Sequence, residues 1–178
     1  MDNGDNTYPF AGGLNSMEAI AWYSHPGYET GPWFAYDVGV VILEEPGVFG
    51  LEEYGALPDV DQLEEFKTGR GPKGVTFTSV GYGLQRGHPF KTEADRVRMV
   101  AYPFLIQINV PGVTGDFSLL LSNNHSTGGT CFGDSGGPNF LEDTNIVAGV
   151  TSFGLNGRCA GTSGVFRIAK ENALNFID

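Results

Sequence analysis

Short runs of apolar and β-branched residues, each bounded by glycine, proline, asparagine or aspartate, recur along most of the chain. After residue 74 these runs are GVTFTSVGYG, DRVRMVAYPFLIQINV, DFSLLLSN, NIVAGVTSFG and GVFRIA. Their length and composition are typical of β-strands, and the residues at their ends favour tight turns. The pattern therefore predicts a β-sandwich or β-barrel over this part of the chain.

The first third of the chain is less regular. Residues 1–18 are polar and glycine-rich, and EAIAWYS and YDVGVVIL (36–43) then predict two strands. Apolar residues at every third position over 57–66 predict one or two helical turns before GRGPKG ends them. The closing AKENALNFID predicts a short helix, because Leu174 and Ile177 have helical spacing. We therefore expect an all-β protein with one short C-terminal helix.

Composition and charge narrow the possible classes of protein. The 178 residues include 27 glycines and 10 prolines, which suits many short strands in one compact unit or two small subdomains. The net charge of −11 argues against a nucleic-acid partner, because phosphate binding needs a basic surface. No apolar run has the length of a membrane span, and MDNGDNTYPFAGG lacks the basic and apolar regions of a signal peptide. We expect contact with neither nucleic acid nor membrane.

Two cysteines, Cys131 and Cys159, are too few for a zinc site and too far apart for a C-x-x-C redox pair. They form either one disulfide, which indicates an oxidising compartment, or two buried thiols. A calcium site is disfavoured, because the acids of the first third have no fixed loop spacing; they are Glu44, Glu45, Glu52 and Glu53. We expect no metal and no cofactor.

Ser135 lies in GDSGG, residues 133–137. The stretch matches G-x-S-x-G, but the nucleophile elbow needs a helix directly after the serine, and GGPNF makes a helix start improbable. In the alternative loop, Gly133 turns its own N–H and that of Ser135 toward one point, where an oxyanion would develop during acyl transfer. A serine needs a base beside it to act as a nucleophile.

The segment TCFGDSGGP resembles the active-serine segment of the trypsin/chymotrypsin-like serine proteases. Further segments resemble other parts of this family in the same order along the chain: SHPGY, YDVGVVIL, VGYG, VAGVTSFG, GRCAGTSGVFRIA and NFI. The resemblance implies a double β-barrel with an incomplete N-terminal barrel. Residues 1–69 would be the remainder of the first barrel, and residues 70–178 the second barrel with its terminal helix.

The family resemblance also implies roles for single residues. Ser135 would be the nucleophile, and Asp37 the carboxylate that orients a catalytic histidine. Gly133 and Ser135 would supply the N–H groups of the oxyanion hole. Asp134 matches the buried acid that pairs with a new N-terminus after activation.

Other residues match the substrate-binding part of the family. They form the floor and walls of the specificity pocket and the strand that pairs with substrate backbone: Gly129, Gly154, Gly164, Ser152 and Phe153. Glycine at the first three positions implies an open, uncharged pocket that does not select lysine or arginine. The resemblance also implies a disulfide between Cys131 and Cys159 beside this pocket.

The sequence departs from the family at the catalytic histidine, which should precede Asp37 in an Ala-x-His-Cys-like segment. No such segment exists; His88 and His125 follow Asp37, and His25 lies in the His-Pro-x-Tyr context instead. The Val/Ile-Gly-Gly start of the mature family is also missing, so we expect Asp134 to be unpaired and the oxyanion loop distorted.

We therefore expect a serine endopeptidase domain that is truncated at its N-terminus and weakly active or inactive as this chain. Its full-length parent would be secreted, monomeric and active on protein or peptide substrates. The alternative is a non-catalytic pseudoprotease that binds a protein partner through the former substrate cleft. Retention of Asp37, Ser135 and the whole GDSGG loop speaks against that alternative, because a binding protein does not need them.

Overall fold

The computed structural model describes residues 17–45, 48, 50–67, 74–88, 91–95, 97–110 and 112–178. The predictions for residues 1–16 and for most of GRGPKG lie outside these residues. The described part is built mainly of strands with one helix: β1 Ala19–Ser24, β2 Gly39–Leu43, β3 Phe77–Gly81, β4 Arg86–His88, β5 Lys91–Glu93, β6 Met99–Ala101, β7 Leu105–Val110, β8 Gly115–Asn123, β9 Pro138–Leu141, β10 Val147–Gly154, β11 Gly161–Arg167 and α1 Glu171–Ile177. The predicted all-β class with a short C-terminal helix is confirmed. No helix in the described part is long and apolar enough to cross a membrane.

Seven strands form one curled antiparallel sheet in the order β6-β3-β9-β10-β11-β8-β7. The residues before β3 return to the β6–β7 connection, where Leu105 N–H donates to Val75 O at 2.8 Å and Phe77 N–H donates to Pro103 O at 2.7 Å. These bonds bring β7, at one end of the sheet, to β3, the second strand from the other end. Alternate residues of the strands face inward, and the fully buried side chains include Phe77, Leu105, Leu119, Leu121 and Val165.

The first two strands form a separate sheet. β1 and β2 pair antiparallel, with Trp22 opposite Val41, and both side chains are largely exposed. Val38, just before β2, is buried with Phe166 of β11 and Ala173 of α1. This contact anchors Val38 against the large sheet, and it thereby also fixes the position of Asp37, the residue before Val38.

The helical turns predicted over residues 57–66 are present only as a 3₁₀ turn, Glu64–Phe66. Leu63, at the start of this turn, has 1% of its surface exposed and packs in the core of the large sheet. The segment therefore packs against the core of the large sheet.

Arg167, the last residue of β11, is completely buried. Its guanidinium donates hydrogen bonds to Asn109 Oδ1 and to Glu64 Oε1, both at 2.9 Å. It also lies 3.4 Å from Asp116 Oδ1. A buried cation needs such partners because its desolvation is costly. The Arg167 network, comprising these residues with Asp61 and Lys170, thus ties the 3₁₀ turn to β7, β8 and β11.

The three acids and the lysine of the Arg167 network have shifted pKa values. A hydrogen bond from Lys170 lowers the pKa of Asp61. Burial alone would raise the pKa of Glu64, but the hydrogen bond and charge of Arg167 outweigh it and the pKa is lowered. Burial would also raise the pKa of Asp116, but the hydrogen bond and charge of Lys170 outweigh burial and the pKa is lowered. Burial would lower the pKa of Lys170, but its hydrogen bonds to Asp116 and Asp61 raise it.

These shifts predict a loss of stability in acid. Folding lowers the pKa of these carboxyls from an unfolded value of about 4. Each carboxyl therefore stabilises the fold fully above that value and loses its contribution as the pH falls through its lower, folded pKa. Lys170 contributes below its unfolded pKa of 10.5 and loses its contribution only as the pH rises through its folded pKa. We expect the urea midpoint to be highest between about pH 5 and 10 and clearly lower at about pH 3. Asp116→Asn should reduce this difference, and equal midpoints at pH 3 and 7 in the unsubstituted chain would contradict the prediction.

Candidate active site

Ser135 lies at the exposed tip of a glycine-rich loop that leads into β9. Gly133 and Gly136 have φ of +97° and +80°, a conformation that side chains other than glycine rarely adopt. Gly136 N–H donates to Thr151 O, and Thr151 N–H donates to Gly137 O, both at 2.9 Å. These bonds fix the loop against β10. A strand, not a helix, follows the serine, so the arrangement differs from a nucleophile elbow.

Asp37 lies between the 3₁₀ turn Trp33–Ala35 and β2. Ser152 Oγ, on β10, donates a hydrogen bond to Asp37 Oδ2. Within the described residues no donor contacts the other carboxylate oxygen, Oδ1. Ser152 therefore fixes the carboxylate and leaves one oxygen free to accept a further hydrogen bond.

Asp37 and Ser135 line the same cleft, which has a volume of about 730 Å³. Four aromatic residues of the β1–β2 region also line it: Trp22, Tyr23, Tyr28 and Trp33. The described side chains that line this cleft include no histidine. The structure thus brings Asp37 and Ser135 to one cavity, and the described lining of that cavity includes no imidazole.

The described histidines have other surroundings. The His25 ring stacks on Tyr36 at 4.7 Å between centroids and tilts against Phe176 at 5.0 Å. Its Nδ1 accepts a hydrogen bond from Gly27 N–H at 3.0 Å. His125 is exposed in the turn after β8, and the side chain of His88 lies outside the described atoms. The ring contacts and this hydrogen bond give His25 a packing role.

Asp134 is not the unpaired carboxylate that the sequence led us to expect. Its Oδ1 accepts from Gly83 N–H at 2.7 Å, and its Oδ2 accepts from Cys131 N–H at 2.8 Å. A Cβ built on Gly81 or Gly83 would collide with this carboxylate. The expectation was wrong because two backbone amides take the place of a charged partner, so desolvation gives no reason for a distorted loop.

The pocket beside Ser135 has a volume of about 160 Å³ and is mostly apolar. Its walls include Thr130, Phe132, Ser152, Phe153 and Gly154, together with Cys131 and Cys159, which form the expected disulfide. No charged side chain is among its described lining residues.

Gly129 and Gly164, which the family resemblance placed at the floor and a wall of the pocket, do not line this cavity. The Asn123 side chain occupies the space next to Gly129, and the Phe153 ring lies on Gly164. Neither placement was predicted. The glycines gave only an indirect signal, since a missing side chain leaves space that a neighbour can fill.

No group of histidine, cysteine or acidic side chains in the described part of the chain is arranged to hold a metal ion.

An exposed serine on a glycine-rich loop of a curled antiparallel sheet, with an aspartate lining the same cleft, is the arrangement that the resemblance to the trypsin-like serine proteases implied. A sequence model of the family described as Trypsin matches residues 6–177. The chain therefore belongs to the trypsin family. Among curated protein sequences, none matches this chain.

Solved structures of similar fold include human heparin binding protein, with a TM-score of 0.63 and 19% identity over 90% of this chain and 65% of that one. HL collagenase has a TM-score of 0.60 and 22% identity over 86% of this chain and 64% of that one. Neuropsin, a serine protease of mouse brain, has a TM-score of 0.62 and 18% identity over 86% of this chain and 67% of that one. These identities support the shared fold alone. The chain spans about two thirds of the length of each neighbour, or slightly less.

Proposed function

We propose that this chain is part of a serine endopeptidase in which Ser135 forms the acyl-enzyme and Asp37 orients a histidine supplied by a segment outside the chain. The observation that carries the proposal is the shared cleft of about 730 Å³, which Asp37 and Ser135 both line. The free Oδ1 of Asp37 can accept the imidazole N–H, while the second ring nitrogen takes the Ser135 proton. The share of the neighbours that the chain spans, 64–67%, is compatible with a missing segment.

The backbone around Ser135 supports acyl transfer. Within the described residues, the N–H groups of Gly133 and Ser135 have no acceptor, so both can donate to an oxyanion formed when Ser135 Oγ attacks a peptide carbonyl. β9 pairs with Val147–Val150 but not with Ser152–Gly154, which have β11 on one side only. An extended substrate can pair with that free edge beside the nucleophile.

The chain alone should be a slow catalyst, because an enzyme that lacks a triad member keeps roughly 10³–10⁴-fold catalysis over water from binding and the oxyanion hole. We propose that its complete form is secreted, since a disulfide is typical of oxidising compartments. Binding of heparin, as named for one structural neighbour, is disfavoured here because the net charge is −11.

The test is covalent labelling by a fluorophosphonate, with the modified residue located by mass spectrometry. We expect slow labelling of Ser135, none in Ser135→Ala, and unchanged labelling in Ser126→Ala, whose side chain is exposed in a turn. Casein should be cleaved far more slowly than by an ordinary protease. Casein cleavage at ordinary protease rates that Ser135→Ala abolishes would disprove the weak activity.

The absence of a histidine among the described side chains of the cleft favours a second candidate, a pseudoprotease that binds a protein through this cleft. Failure of Ser135 to react, even with added base, would support it. A binding partner whose affinity is unchanged in Ser135→Ala would then be expected.

A further inference from the structure

Phe153 on β10 lies directly opposite Gly164 on β11. The register of the two strands shifts between Thr151 and Phe153, and such a bulge redirects the side chains that follow it. A Cβ built on Gly164 would overlap the outer carbons of the Phe153 ring, Cζ, Cε1 and Cε2. The ring therefore occupies the space that glycine at position 164 leaves open.

A second aromatic residue holds the Phe153 ring in this position. Trp33 contacts it edge to face, with 5.5 Å between ring centroids and an interplanar angle of 80°. Such aromatic pairs are favourable beyond the area they bury. Trp33 belongs to the 3₁₀ turn that precedes Asp37, so the contact links the pocket wall to the segment that carries the carboxylate.

A second side chain, Asn123, lies next to the pocket residue Thr130. Asn123 fills the space next to Gly129, and its Nδ2 donates to Thr130 O at 2.7 Å. This bond holds Asn123 beside Thr130, one of the residues that line the pocket. The remaining cavity of about 160 Å³ has no described charged side chain in its lining.

We propose that Phe153 is a specificity-determining residue that closes the pocket on its Gly164 side, so that the pocket accepts uncharged aliphatic side chains up to the size of valine or leucine and rejects large aromatic ones. This inference rests on the proposed endopeptidase function, because it concerns the side chain that precedes the cleaved bond. Glycine at 164 thus permits the closing ring and does not widen the pocket.

The test measures binding in the Ser135→Ala background, so that its result does not depend on catalysis. Two acetylated tetrapeptide amides that differ only in a C-terminal valine or phenylalanine are titrated by ligand-detected NMR. We expect the valine peptide to bind at least about tenfold more tightly, since shape exclusion of this kind corresponds to about 1.4 kcal/mol or more. Phe153→Ala should reverse the preference, and Phe153→Leu, which keeps an apolar contact with Trp33, should give an intermediate ratio.

Leu155→Ala is the matched control, because Leu155 is exposed two residues further along and does not line the pocket. In this variant the ratio of the affinities for the valine and phenylalanine peptides should equal that of the parent. Equal or tighter binding of the phenylalanine peptide by the parent would overturn the proposal, as would a ratio that neither Phe153 variant changes. If Phe153→Ala does not fold, the parent and Phe153→Leu still decide. If Ser135 fails to react with fluorophosphonate, that result counts against the proposed endopeptidase function. The ratio of the two peptide affinities does not depend on this reaction and tests the pocket separately.

Discussion

Free imidazole at about 0.2 M is expected to accelerate fluorophosphonate labelling of Ser135 about 10- to 100-fold. A positioned general base contributes about 10²–10⁴-fold, and a diffusing base recovers only part of this because its effective concentration in the cleft is lower. The cleft between Asp37 and Ser135, about 730 Å³ in volume, has room for the ring. Ser152 already holds one oxygen of Asp37, so the other can orient the imidazole.

Two controls separate an oriented base from a general effect of the buffer. N-methylimidazole can accept the serine proton but has no second N–H for Asp37, so it should accelerate labelling much less. Asp37→Asn should remove most of the difference between the two bases, because the amide no longer stabilises an imidazolium. The rate should rise with pH through about 7 as imidazole becomes neutral. Equal acceleration by both bases in the parent chain would contradict the role of Asp37.

The sequence predicted the larger sheet better than its smaller elements. The apolar runs that became β3, β8, β10 and β11 are long and bounded by turn residues, so local pattern and final fold agree. β9 was missed, because Pro138–Leu141 follows two glycines and is a strand only by pairing with β3 and β10. The helical spacing over 57–66 became a 3₁₀ turn because Leu63 packs in the sheet's core.

The candidate site shows what a motif can and cannot predict. The family resemblance named Asp37 and, together with the GDSGG motif, Ser135, and both residues line one cleft. The two amide partners of Asp134 and the ring of Phe153 on Gly164 were missed. Both depend on residues far apart in the chain meeting at short range, which no local pattern records.

Glu64→Ala is expected to lower the free energy of unfolding by about 3 kcal/mol, because it removes one carboxylate from a completely buried guanidinium. Breaking a fully buried pair typically costs about 3–5 kcal/mol. Glu64 itself is partly exposed and Asp116 stays 3.4 Å from Arg167, so the lower end applies. A typical domain is stable by only about 5–15 kcal/mol, so the loss is large. Urea unfolding with an unchanged slope measures it.

The neighbouring acid provides a control, because Glu65 is exposed and Glu65→Ala should change stability by no more than about 0.5 kcal/mol. Adding Arg167→Met to Glu64→Ala tests the cause. If the buried cation is what makes the loss of Glu64 costly, the second substitution should destabilise far less in this background than in the parent chain. Additive effects of the two substitutions would show that Glu64 acts through something other than the charge of Arg167.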